Sequence, residues 1–168
     1  MKSLKSVLLT AALTVGAFGA VTYTACTKDA CKDVVCKNGG TCVSGSCVCP
    51  TGFQGTNCQT KSFFGSWKGS DQCTSGTYNN ITVTLAPGST DSSSVIVTNP
   101  GGFGASVTVN GTLSSDAKTI AISNQSVGGG RNMTGTMSLV SATSFNITYT
   151  VTPATGTADN CNGSYTKQ

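Results

Sequence analysis

The stretch that decides the fold of the N-terminal part reads CKDVVCKNGGTCVSGSCVCPTGFQGTNC and runs from Cys31 to Cys58. It holds six of the nine cysteines of the chain, with turn-forming Gly and Asn residues between them. Because the block has few apolar side chains to form a core, it needs covalent cross-links or a bound metal to fold. Zinc is the other use of clustered cysteines, but the chain has no histidine and the block has no C-x2-C pair. Disulfides are therefore expected, and spacing alone does not choose their pairing.

The spacing and the turn residues resemble those of an epidermal growth factor (EGF)-like module. The most diagnostic part is residues 47–58, where C-x-C is followed by G-aromatic-x-G-x-x-C. The resemblance implies a module over residues 31–58 that acts as a contact surface or spacer and does not catalyse. It also implies the disulfides Cys31–Cys42, Cys36–Cys47 and Cys49–Cys58.

The calcium-binding subset of these modules has an acidic cluster before the first cysteine and Asp or Asn after the third. Here a single acid, Asp29, precedes the first cysteine, and residues 43–46 after Cys42 contain neither an acid nor an amide. Calcium prefers several carboxylate oxygens among six to eight ligands. We therefore expect no metal site and no cofactor.

The first 25 residues are typical of an export signal. Lys2 and Lys5 give a positive start, and residues 7–21 are uncharged and mostly apolar. This stretch is too short and too rich in Ala, Gly and Thr for a comfortable membrane span, and a buried helix of the mature domain is the alternative. Export places the chain in an oxidising compartment, in which disulfides persist.

Two cleavage points fit the end of this segment. Residues 17–19 would serve ordinary secretion, whereas Thr24-Ala25-Cys26 resembles the lipobox of bacterial lipoproteins, with Tyr23 in place of the usual aliphatic residue. In that family the cysteine becomes the acylated first residue of the mature protein. The resemblance implies a signal peptide over 1–25, a lipid-anchored tether over 26–30, and a location at the cell surface or outer membrane. Cleavage at the earlier point would give a secreted protein.

The cysteine count favours the lipoprotein interpretation. Outside the six-cysteine block only Cys26, Cys73 and Cys161 remain, and the last two lie in one domain and can pair. Cys26 is then left over, and an odd cysteine in an exported protein needs an explanation. Lipidation supplies one, and a free or intermolecular thiol is the alternative.

After a linker over 59–63, residues 64–168 predict an all-β domain. Apolar residues alternate with Thr, Ser and Asn, which is typical of antiparallel strands with one buried and one wet face. Short turns between them favour a meander that closes into an up-and-down barrel, and a two-sheet sandwich is the competitor. The predicted strands lie near 64–73, 77–86, 93–99, 104–113, 118–123, 132–140, 143–152 and 159–167.

Two cysteines mark the first and last of these strands. In a barrel those strands are neighbours, so a Cys73–Cys161 disulfide would link the first strand to the last at the place where the sheet closes. Asp71 and Asp159 each precede a cysteine by two residues, which places them at opposite ends of the bridge in antiparallel register. We therefore interpret them as separate surface or turn acids.

The run Phe64-Gly65-Ser66-Trp67 resembles the G-x-W start of lipocalins, although a lone tryptophan anchoring an ordinary β core is the preferred interpretation.

Two residue types used in many catalytic sites are missing from the chain, which limits the reactions that it could catalyse. The chain has neither histidine nor glutamate, so Ser–His–Asp and Cys–His sites cannot form, and we predict that the protein is not an enzyme. The basic residues are dispersed, which argues against nucleic acid as a partner. Six N-x-S/T triplets are a by-product of alternating Asn and Thr on wet strands rather than glycosylation sites.

Two functions remain as hypotheses. The first is a lipid-anchored surface protein that presents the β domain for contact with a protein or glycan through outer rows such as Thr82-Thr84 and residues 146–150. The second is a small-molecule carrier using the barrel interior. A barrel this small is usually filled by its own side chains, and nothing polar among the inward residues is expected to orient a ligand. The inward residues are expected to be Met133, Met137, Phe145, Ile147, Tyr149 and Val151.

Overall fold

The computed structural model describes residues 30–168. The predicted signal peptide, Cys26 and all but the last residue of the predicted tether lie outside these residues. Within residues 30–168, no helix has the length and hydropathy needed to cross a membrane.

The N-terminal module, residues 31–58, is held by three disulfides, which are Cys31–Cys42, Cys36–Cys47 and Cys49–Cys58. This is the pairing that the EGF-like resemblance implies. Its first hairpin pairs β1 (Thr41–Val43) with β2 (Ser46–Val48). A second small ladder pairs β3 (Phe53–Gln54) with β4 (Thr60–Lys61), so the predicted linker contains a strand.

The rest of the chain forms a closed antiparallel barrel of eight strands, as predicted. Each strand pairs with the next, and the last pairs with the first, so the sheet has no free edge. The strands are β5 (Gly65–Cys73), β6 (Gly76–Pro87), β7 (Ser94–Thr98), β8 (Thr108–Leu113), β9 (Thr119–Gly128), β10 (Arg131–Ser141), β11 (Ser144–Pro153) and β12 (Asp159–Lys167).

Two strands differ in length from their prediction. Strand β9 continues to Gly128 because its last residues pair with β10. On its other side the Gln125 side chain contacts β8, accepting from the Asn110 N–H at 2.8 Å and donating to the Asn110 carbonyl at 2.6 Å. Strand β8 begins only at Thr108, because the chain before it makes a loop with a 3-10 turn at Pro100–Gly102. Polar runs and Gly-rich loops carry little alternation, which explains both differences.

Side chains fill the barrel interior. The six residues predicted to face inward are all buried, and the aliphatic residues of β6 to β9 complete the core. The near end, where the N-terminal module lies, is closed by aromatic rings: Phe145 lies 4.9 Å from Trp67 and 5.0 Å from Tyr165 between centroids. Phe63, from the predicted linker, is also fully buried there.

The N-terminal module packs on this near end. Phe53 contacts the barrel core, and the Ser62 N–H donates to the Gly52 carbonyl at 2.9 Å. Lys167, at the end of β12, donates through Nζ to the Ser62 carbonyl at 2.7 Å and to Gln54 Oε1 at 3.3 Å. Residues 59–63 therefore connect the two parts by packed contacts.

Candidate functional site

The far end of the barrel, opposite the N-terminal module, carries a cleft of about 270 Å³. Its apolar surface comes from aromatic and aliphatic side chains and from the Cys73–Cys161 disulfide, which joins the first and last strands. Its polar groups are contributed by the ends of β6, β10 and β12. The lining residues used below are Phe103, Arg131, Tyr149, Val151, Pro153 and Asp159.

The loop before β8 forms one wall of this cleft. Asn99 has a left-handed backbone with φ of 57°, and its side chain holds the loop by accepting from the Gly104 N–H at 2.7 Å and donating to the Thr82 carbonyl at 2.8 Å. Gly101 also has positive φ, at 58°. A Cβ at Gly101 would lie 2.7 Å from the Tyr149 hydroxyl oxygen, so only glycine lets the turn approach this close.

Two opposite charges lie at the cleft. The Arg131 guanidinium lies 4.9 Å from the centroid of the Phe103 ring, and its Nε donates to the Gly128 carbonyl at 3.3 Å. Within residues 30–168, Arg131 forms no ion pair. Asp159 accepts at Oδ1 from the Ser75 N–H at 3.0 Å and at Oδ2 from the Ser75 hydroxyl. The arginine therefore keeps donors available, whereas both aspartate oxygens already have a partner.

Beneath the cleft lies a buried carboxyl group that the sequence analysis placed wrongly. Asp71 is fully buried and is not a surface or turn acid. The Tyr149 hydroxyl donates to its Oδ2 at 2.6 Å, and the Tyr165 hydroxyl donates to its Oδ1 at 2.8 Å. The sequence analysis therefore missed a carboxyl group in the barrel interior. The available signal was strand parity, since Asp71 lies two residues from Cys73 and four from the inward Trp67.

Burial controls the protonation of this cluster. Loss of solvation raises the pKa of the Asp71 carboxyl above its usual range, and the two tyrosine hydrogen bonds oppose that shift. Burial also raises the pKa of both Tyr149 and Tyr165, and the neighbouring Asp71 carboxylate adds to the effect. The tyrosines therefore stay protonated as donors. The two hydrogen bonds join Asp71 to side chains of β11 and β12, so the cluster stabilises the barrel interior.

The other predicted site residues are spread over the molecule. Cys73 and Cys161 form the expected disulfide, so although both sulfurs and the Asp159 carboxylate lie close together, no thiolate is available for a metal. Trp67 lies in the core at the near end, where its Nε1 donates to the Phe63 carbonyl at 2.8 Å and Lys167 Nζ lies 5.0 Å from its ring centroid. Cys26 lies outside the described residues.

The outer surface of four neighbouring strands forms a second candidate surface, which we call the polar face. In one row across the strands, Thr136, Thr148, Asn162 and Gln72 lie side by side. The next row toward the near end carries the cation Lys68 beside Thr166, and we define the polar face without it. In the three successive rows that make up the face, the side chains are uncharged hydroxyls or amides. They are Ser70, Gln72, Thr134, Thr136, Ser138, Asn146, Thr148, Thr150, Asn160, Asn162 and Ser164.

With this geometry established, the chain was compared with known proteins. The family model of the EGF-like domain matches residues 26–58. The N-terminal module is an EGF-like module. Modules of this disulfide-rich kind belong to extracellular or cell-surface proteins. No curated protein matches the chain.

Solved structures of other proteins are similar to part of this chain. One is EF1p2_mFAP2b bound to DFHBI, with 13% sequence identity, a TM-score of 0.47, and coverage of 64% of this chain and 94% of that chain. Another is a redesigned beta barrel, mFAP0, bound to DFHBI, with 17% identity, a TM-score of 0.45, and coverage of 64% of this chain and 100% of that chain.

Proposed function

We propose that this protein is a non-catalytic, lipid-anchored cell-surface protein whose EGF-like module presents the barrel for contact with a protein or a glycan. The observation that carries the proposal is the polar face. Ordinary protein surfaces mix charged side chains of both signs, whereas the three rows of this face carry none and are bordered by the single cation Lys68 in the next row. A surface without charges costs less to desolvate on binding.

The chemistry of the polar face favours a glycan. Four of its side chains are already ordered by mutual hydrogen bonds, since Thr148 Oγ1 donates to Asn162 Oδ1 at 3.2 Å and Thr150 Oγ1 donates to Asn160 Oδ1 at 2.9 Å. Pre-ordered side chains lose little entropy on binding. Hydroxyl and amide groups both donate and accept, as sugar hydroxyls require.

The position of the EGF-like module supports the anchor. Cys26 precedes the first module cysteine by five residues, and the module packs on the near end of the barrel. An acylated Cys26 would therefore hold the near end toward the membrane and leave the polar face and the far end accessible. Several acyl chains on one residue would anchor the protein stably.

Two observations support the proposal that the protein is not an enzyme: the residue types that the chain lacks, and the hydrogen bonds made by its buried carboxyl group. The chain lacks histidine and glutamate, and the buried Asp71 is saturated by two tyrosine hydroxyls. The alternative function, a carrier that uses the barrel interior, would need a cavity where Met133, Met137 and Phe145 are packed. The filled interior therefore argues against that use of the barrel.

The anchor is tested by fractionating cells that express the full chain. We expect the wild-type protein in the membrane fraction and the Cys26→Ser variant in the soluble or secreted fraction, because the acyl chains supply the attachment. Intact-mass analysis should show an acylated N-terminus at Cys26. A mature N-terminus at Ala20 or Val21 without lipid mass would exclude the anchor.

The polar face is tested by binding the full chain to an array of immobilised glycans. We expect retention on a subset of glycans, and we expect Thr148→Lys with Asn162→Lys to abolish it by placing two charges on the face. The matched control is Thr108→Lys with Thr112→Lys, on the outer surface of β8. Equal loss in both variants, or no retention by the wild-type protein, would count against a glycan contact at this face.

A further inference from the structure

We propose that the cleft at the far end of the barrel is a binding site for a small aromatic monocarboxylate, with Arg131 pairing the carboxylate. This site is separate from the polar face and does not depend on the contact function proposed above. It also differs from the carrier hypothesis, because the ligand lies at the mouth and not inside the barrel.

The size and surface of the cleft select a small ring. Its volume of about 270 Å³ is below the range of roughly 300–1,000 Å³ that is common for drug-sized ligands. Apolar surface is supplied by Val151, Pro153 and the Cys73–Cys161 disulfide, and the Phe103 ring also lines the cleft. The Tyr149 hydroxyl is committed to Asp71, so this residue offers the cleft mainly its ring. An aromatic ligand would pack against such surfaces by offset or edge contacts.

The charge of the ligand is set by Arg131. It is the one cation among the residues that line the cleft, and its guanidinium is oriented by the Phe103 ring and by the Gly128 carbonyl. Its terminal amino groups have no ion-pair partner within residues 30–168. A planar guanidinium held in this way matches a carboxylate with two parallel hydrogen bonds.

Asp159 limits the ligand to a single negative charge. Its carboxylate lines the same cleft, so a second anionic group on the ligand would be repelled. A ligand amine would compete with the Ser75 donors for the Asp159 oxygens, and the Arg131 guanidinium in the same cleft would repel it. The arrangement therefore favours a monoanion over a dianion or a cation.

The test uses phenylacetate as the probe and follows the backbone amides of the full chain by NMR, with Cys26→Ser present to keep it in solution. We expect saturable shifts at the cleft residues with roughly millimolar affinity, which is ordinary for so few atoms. Phenylacetamide, which has the same shape without the charge, and phenethylamine should bind at least about tenfold more weakly.

Variants separate the carboxylate pairing from general apolar binding. Arg131→Gln should weaken phenylacetate binding about tenfold while leaving phenylacetamide unchanged, because only the ion pair is lost. Lys118→Gln, which removes a cation at the near end, is the matched control and should change neither. The proposal is overturned if phenylacetate produces no saturable shift, if Arg131→Gln binds it as tightly as the wild type, or if the shifts lie outside the cleft. None of these outcomes affects the anchor or the polar face.

Discussion

At the scale of single residues, the unusual feature of the barrel is that its interior contains a carboxyl group, that of Asp71. An unpaired carboxylate would be costly there, but two tyrosine hydroxyls donate to it and reduce that cost. The exposed Asp116 shows the opposite case, because hydrogen bonds from the Ser114 hydroxyl and the Lys118 N–H lower its pKa. The same residue type therefore responds to pH in two directions within one domain.

The first prediction concerns the pH dependence of stability. Since the pKa of Asp71 is raised in the folded state, the unfolded chain ionises first as the pH rises above about 4, and wild-type stability falls relative to that of Asp71→Asn. We expect the unfolding free energy of Asp71→Asn minus that of the wild type to increase between pH 3 and pH 7, as measured by urea denaturation.

Asp116→Asn is the control for this experiment. Its lowered pKa gives the opposite sign, so the wild type should lose stability relative to Asp116→Asn as the pH falls through the folded-state pKa. A difference for Asp71→Asn that stays flat or decreases with pH would show that burial does not raise the pKa of this carboxyl.

At the scale of strands, large inward side chains are paired with glycines on neighbouring strands. Tyr165 lies opposite Gly69, and Tyr149 lies opposite Gly135. A Cβ at Gly69 would lie 2.6 Å from the Tyr165 ring, and a Cβ at Gly135 would lie 2.6 Å from Tyr149 Cβ. Alternation of small and large residues in this way lets a narrow barrel enclose two tyrosines.

The second prediction concerns Gly163, which pairs with Asp71 across β5 and β12. A Cβ at Gly163 would clash with Asp71 Oδ1 and would lie 2.8 Å from Ile147 Cγ2. We expect Gly163→Ala to destabilise the barrel by about 1–3 kcal/mol, as overpacking does. Denaturant unfolding measures the change.

A double-mutant cycle identifies the clash. In the Asp71→Ala background the loss caused by Gly163→Ala should be smaller, because the nearest of the obstructing side chains is gone. Ser164→Ala, at the adjacent outward position, is the control and should change stability by less than about 0.5 kcal/mol. Equal losses in both backgrounds would contradict the clash.

At the scale of the whole molecule, two disulfide units meet at the near end of the barrel. The three short-range bridges of the EGF-like module span at most 11 residues each, whereas Cys73–Cys161 spans 88 residues and joins the first and last strands of the barrel. No disulfide links the two parts among residues 30–168. They are connected instead by Phe53, Ser62 and Lys167, through packing and hydrogen bonds.

The third prediction concerns the independence of these units. Replacing Cys73 and Cys161 by Ala should lower the unfolding free energy of the barrel by about 2–4 kcal/mol, because a long loop in the unfolded chain is released. Replacing Cys36 and Cys47 by Ala should leave the barrel transition unchanged within about 0.5 kcal/mol. Tyrosine and tryptophan fluorescence reports the barrel transition. A large barrel loss in the second variant would show that the two units unfold together.

The sequence by itself determined the module, the all-β class and the positions of the strands. Cysteine spacing and turn residues are local signals, and the alternation in Phe145-Asn146-Ile147-Thr148-Tyr149 is a local consequence of side chains pointing to opposite faces. The sequence favoured a barrel and left the sandwich open, and the closed sheet settles that choice. The tertiary structure alone decided that Phe63 is buried and that Asp71 lies between two tyrosines. It also brought Phe103, Arg131 and Tyr149 into one cleft. These features depend on register and on contacts between residues far apart in sequence, which a one-residue shift in pairing would change.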